Sequence, residues 1–136
     1  MNLIPSNLEF SDGELKIVWR GDKKIVWRFS AKDVPAAAKK ALKAYEGKEV
    51  IIGIRPQGLT IGAASGKKKN GGLTGKLVVH EFLGNSGIAQ VDVGHTVVES
   101  VTTPTIPQKV GDSVSLSALF KDLHFFDPET THRIEF

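Results

Sequence analysis

From Glu14 to Arg20 apolar Leu15, Ile17 and Trp19 alternate with mostly polar neighbours, the two-residue period of a strand buried on one face. Gly21-Asp22-Lys23-Lys24 supplies turn chemistry, and Ile25, Trp27 and Phe29 resume the alternation. The pair reads as a hairpin with Trp19 and Trp27 on one face, either as the core of a small β-domain or as a platform for stacking bases. Over residues 35–46 the period lengthens. Pro35 suits a first helical turn, Ala38, Leu42 and Tyr45 form an inward stripe, Lys39, Lys40 and Lys43 form a polar face, and Gly47 is a natural stop. This predicts one short amphipathic helix lying over a sheet.

Beyond the helix, Val50 to Ile54 is a buried-strand run closed by Arg55-Pro56, and residues 62–72 form a small-residue loop carrying Lys67-Lys68-Lys69. That loop is predicted to be mobile. Further strands are expected at 77–83, 88–93, 96–101 and 113–119, separated by Gly84-Asn85-Ser86-Gly87, by Gly94-His95 and by the segment 104–112. Many short strands with glycine turns and a single helix point to a mainly β protein, a small barrel or a sandwich.

Composition narrows the chemistry. With 136 residues, 40% hydrophobic and 24% charged, the chain suits one compact domain or two small lobes sharing a core. The absence of cysteine excludes disulfides, thiolate metal sites and a cysteine nucleophile. No apolar run approaches the roughly 20 residues of a membrane span, and the first ten residues do not read as a signal peptide. The net charge of +3 hides a division: residues 1–76 hold 15 basic and 7 acidic residues, residues 77–136 hold 3 and 8. A basic half suits phosphates, but 14 of the 18 basic residues are lysines, which a solvated helix face and a loop tip also accommodate.

Three catalytic patterns are weighed and set aside. Gly62 and Gly66 lack the spacing of a phosphate-binding loop, and Lys67 is followed by Lys68 instead of the hydroxyl that would hold magnesium. His80, Glu81, His95, His124, Asp127 and His132 show no spacing that places two metal ligands on one helix face, and adjacent His80 and Glu81 point to opposite sides of a strand. No Gly-x-Ser-x-Gly elbow marks a hydrolase.

Three blocks carry a family resemblance. Gly53-Ile54-Arg55-Pro56-Gln57-Gly58-Leu59 resembles the Gly-Ile-Arg-Pro-Glu-x-Leu signature of ATP-binding subunits from sugar-type ABC importers. Gly75 to Gly84 is similar to the Gly-x-Val-x-x-x-Glu-x-Leu-Gly block that follows it. Val110-Gly111-Asp112-Ser113-Val114-Ser115-Leu116, then Leu123-His124-Phe125-Phe126-Asp127, resemble the closing Val-Gly-Asp-x-Val-x-Leu and His-Leu-Phe-Asp motifs. Met1-Asn2-Leu3-Ile4 resembles the segment that follows the nucleotide-binding domain in these proteins.

The resemblance implies a regulatory domain of the transport-associated OB type spanning residues 1–136, separated from its ATPase domain and folded as two interlocked OB-like barrels with one short helix. It implies no catalysis and no cofactor or metal in this chain, ATP and magnesium belonging to the missing domain. Implied partners are the ATPase domain of the same subunit, a second ATP-binding subunit, a regulatory protein and, through the full-length protein, a membrane permease. The implied location is the cytoplasmic face of the cell membrane, with sugar or glycerol-phosphate uptake as the transport class. Candidate interface residues are Arg55, Pro56, Gln57, Glu81, Leu83, Gly84, Phe125, Phe126 and Asp127. Arg55 is held extended by Pro56, with Glu81 a candidate partner. The chain departs from the pattern at Gln57 and Gly58. Phe125 and Phe126 cannot both face one core, so one is expected inside and the other against a neighbouring lobe or chain. The alternatives are a single-stranded nucleic-acid module using Trp19, Trp27 and the lysines of 39–43 and 67–69, and a small-anion site of the molybdate-binding kind.

Overall fold

The computed structural model describes residues 1–64 and 71–136. Among the described residues ten strands form two five-stranded antiparallel sheets. The first holds β1 (Asn2–Ser11), β2 (Glu14–Trp19), β3 (Val26–Ser30), β4 (Glu49–Ile54) and β10 (Leu123–Phe126), in the order β10-β4-β1-β2-β3. The second holds β5 (Thr60–Ala63), β6 (Gly72–Phe82), β7 (Gly87–Val93), β8 (Thr96–Thr102) and β9 (Ser113–Ser117), in the order β5-β9-β6-β7-β8. Each is an OB-like lobe with the same strand arrangement. Lysines 67–69 of the expected mobile loop lie outside the described residues, while Gly62 and Ala63 belong to β5 and Gly72 opens β6.

The lobes exchange a strand. After β4 the chain turns through a 3-10 helix, Pro56–Gly58, and supplies β5 to the second lobe. After β9 it turns through another, Phe120–Asp122, and returns β10 to the first. The two segments run antiparallel with the same offset on both sides of these turns: Ile51 faces Phe126, Ile54 faces Leu123, Thr60 faces Ser117 and Ala63 faces Val114. A single ribbon, 51–63 against 114–126, thus stitches both sheets together.

Alternation explains the core. Leu15, Ile17 and Trp19 of β2 and Trp27 and Phe29 of β3 are buried, as their period requires. Trp19 and Trp27 meet edge to face at 6.5 Å between ring centres, and contacts continue through Phe29 and Phe120 to Phe125. Trp19 is 2% exposed and Trp27 fully buried, so neither offers a face to a base. Helix α1 (Ala36–Lys43) buries Ala38 and Leu42 against the first lobe and turns Lys40 and Lys43 outward; Pro35 sits at its N-cap. Lobe-to-lobe contacts include the Asn2 side-chain amide, which pairs with the backbone of Glu99 in both directions at 2.9 Å. Among the described residues no helix is long and apolar enough to cross a membrane.

Candidate functional site

Arg55, Pro56 and Gln57 lie at the first crossover and Phe126 on the outer face of β10-β4-β1. Because Ile52, Ile54, Leu123 and Phe125 point inward, Ile51, Gly53, Arg55, His124 and Phe126 point outward. Phe125 is the core phenylalanine and Phe126 the outer one. Two rows cross the face, Leu3–Gly53–His124 and Pro5–Ile51–Phe126. Gly53 leaves a dip into which Met1 and Phe126 lean: a Cβ there would lie 2.6 Å from Met1 Sδ and 2.7 Å from Phe126 Cε2. Side chains, and not a passing backbone, therefore use the space that Gly53 leaves. Met1 is 54% and Leu3 59% exposed, so a small apolar surface surrounds the dip.

Arg55 caps the 3-10 turn in extended geometry, its carbonyl accepting from Gly58 N at 2.8 Å, with Pro56 at the first position. At Gly58 a Cβ would sit 3.3 Å from Asp122 Cβ and 3.2 Å from Ile54 Cγ1. The two crossovers pack closely at Gly58, so a larger side chain there would have to displace Ile54 or Asp122. Glu81, Leu83 and Gly84 lie elsewhere, on the exposed β6–β7 hairpin of the second lobe, where Gly84 takes a φ of 86°. The candidate Arg55–Glu81 pairing is not formed: ion pairs among the described residues join Lys16 to Asp12 and Arg20 to Glu49.

Asp127 is a turn cap. Its Oδ1 accepts from Glu129 N at 2.8 Å and Thr130 N at 3.2 Å, and its Oδ2 accepts from the Tyr45 hydroxyl at 2.8 Å. The Tyr45 bond first, then the two backbone N–H groups, hold the carboxyl below the usual aspartate range. The same bond, with burial, pushes the Tyr45 phenol up. The turn folds 132–134 back along β10, where Ile134 N donates to Phe125 O at 2.7 Å and Arg133 bridges to Phe126. His124 is pushed below its ordinary pKa by burial, then by the neighbouring Arg133 and Arg55, with Asp122 opposing. In the sequence His124 reads only as a candidate metal ligand and as part of a motif, and Met1, Leu3 and Arg133 have no place on this face. The signal available was the alternation of β10 and β4, which assigns His124 and Phe126 to the face of Gly53 and Arg55.

A separate cleft of about 360 Å³ lies between the lobes, with Lys24 on one side and Thr60, Thr74, Ser115 and Ser117 on the other. Among the described residues no group of three or more histidines and carboxylates is arranged to hold a metal.

The profile of the TOBE domain family matches residues 52–126, the stretch from β4 to β10. The chain belongs to the TOBE domain family. No curated protein matches it. Among solved structures, this TOBE domain is similar to ModG, described as a cytoplasmic molybdate-binding protein and solved with molybdate bound. The two superpose with a TM-score of 0.70 at 18% identity, over 93% of this chain and 96% of ModG. At that identity the likeness establishes the two-lobed OB-like fold.

Proposed function

We propose that this TOBE domain is a non-catalytic regulatory and dimerisation domain of the ATP-binding subunit of an ABC importer, of the branch that takes up sugars or glycerol phosphate. The observation that carries the reading is where the motifs fall. Gly53 to Leu59 and Leu116 to Asp127 build the exchanged ribbon and its two crossovers, the segments that join the two barrels. Two barrels so joined suit holding two subunits in contact while attached ATPase domains open and close, with effectors acting by preferring one arrangement. Its partners would be that ATPase domain, a second subunit, a regulatory protein and, indirectly, a permease at the cytoplasmic face of the membrane. Sedimentation velocity up to millimolar concentration tests this. Reversible dimerisation is expected; a strict monomer that also fails to join an ATP-binding subunit on co-expression overturns it.

A second reading, binding of a small oxyanion, is favoured by the likeness to ModG and by the cleft holding Lys24 and four hydroxyls. Calorimetric titration with molybdate, tungstate and sulfate tests it, and absence of heat with all three removes it.

A further inference from the structure

The outer face of β10-β4-β1 has an apolar middle and a cationic end. Met1, Leu3, Ile51 and Phe126 surround the dip at Gly53. Arg55 leaves the first crossover on the same side, His124 sits beside Gly53, and Arg133 is carried to Phe126 by the folded-back tail. Three cationic or protonatable groups from three separate segments are thereby gathered at one end of an apolar surface. No carboxylate among the described residues forms an ion pair with Arg55 or Arg133, and Asp122 is the acid whose field reaches His124. Unpaired arginines beside exposed apolar groups form the half of an interface that lacks its complement.

We infer that this face docks an acidic, apolar segment of a partner protein, its apolar side chain packed on exposed Met1 and Leu3 and on the outer side of Phe126, and its carboxylates on Arg55 and Arg133. Charge complementarity selects this occupant. Arginine forks match carboxylates in a bidentate manner. A second copy turned end for end would bring Glu9 and Glu49 to the arginines, so self-association that competes with an acidic peptide for this face overturns the inference. An anionic lipid surface would meet Glu9 and the Arg20–Glu49 pair at the opposite end of the face, where no cation is free of a partner in the row Asn7–Glu49.

This deepens the regulatory reading by naming the chemistry of the partner. Its test addresses the face alone, whereas dimerisation and co-expression address the reading itself, so the two fail separately. The probe is a blocked eight-residue peptide of alternating Leu and Glu, titrated by calorimetry into the full chain at low salt, with Gln-for-Glu and Lys-for-Glu counterparts. Binding of the Glu peptide alone is expected, weakened at least tenfold by 0.5 M salt, by Arg55→Ala with Arg133→Ala, and by Phe126→Ser. Circular dichroism of each variant confirms that it folds, and Lys121→Ala, outside the face, should leave affinity unchanged. The inference is overturned by no heat with the Glu peptide, by equal binding of the Gln peptide, or by indifference to the arginine variants. Preferential binding of phosphatidylserine vesicles or of a single-stranded oligonucleotide through the same arginines also overturns it.

Discussion

The indole N–H of Trp27 donates to the carbonyl oxygen of Gly71 at 2.7 Å, joining the edge strand of one lobe to the start of the other. Gly71 is a junction: its N–H reaches Arg28 O, its oxygen also receives Ala118 N, and its φ of 73° suits glycine. A Cβ there would press on the Ala118 carbonyl. Trp27→Phe should cost about 1–3 kcal/mol through the lost buried hydrogen bond, and Gly71→Ala about as much through strain. Urea unfolding, with both lobes melting together, is the measurement.

Two other glycines should respond differently. A Cβ at Gly75 would meet Asp92 O at 2.7 Å, Val91 Cγ1 at 2.6 Å and Val93 Cγ2 at 2.8 Å, inside the second sheet. At Gly53 the obstacles are the movable ends of Met1 and Phe126. Gly75→Ala should destabilise by about 1–3 kcal/mol and Gly53→Ala by less than about 1 kcal/mol. Equal unfolding midpoints for the two variants would contradict this.

Stability should fall in separate steps of pH. His124 has a lowered pKa in the fold, so the unfolded chain takes its proton first; its contribution is present above about pH 6.5 and is lost as pH falls below that through the folded pKa. Asp127, also lowered, contributes above about pH 4 and loses its contribution as pH drops through its folded pKa. Tyr45 is raised, so its contribution holds below about pH 10 and is lost as pH climbs past it. His124→Gln should flatten the first window and Asp127→Asn the second, read from urea midpoints across pH.

Both tryptophans are sealed in the core, so emission should be blue-shifted and poorly quenched by iodide. Single-stranded oligonucleotides at low salt should leave the spectrum unchanged. Saturable quenching by such a strand would restore the stacking platform that burial argues against.

The alternation at Leu15, Ile17, Trp19 and Trp27 was legible because one face of that hairpin is buried, and the helix at Ala38 and Leu42 because its stripe is. The strand exchange was not legible. Hydrophobic period says which face of a strand is inward, yet β5 after β4 reads the same whether it pairs within one barrel or crosses to the other. The bulge between Leu77 and Val79 was equally silent: it shifts the pairing so that His80 lies opposite Ala89, where His80 Nε2 contacts Thr102 Oγ1 at 2.9 Å. Strand β1 was missed as a strand because Pro5 and Asn7 interrupt its pattern, although both occupy outward positions. The cationic end of the outer face escaped notice because Arg55, His124 and Arg133 are far apart in the chain and meet only through the ribbon and the folded-back tail.

The ribbon also governs the order in which the protein can be finished as it is made. The second barrel receives its borrowed strand, β5, before its own four strands exist, whereas the first barrel has β1 to β4 in place by residue 54 and then waits for β10. Throughout synthesis of residues 55–122 the free edge of β4 stays open, as a template for any strand that arrives early. The second lobe has all its strands by residue 117, so completion of the first lobe comes last, when β10 arrives to cover the edge of β4.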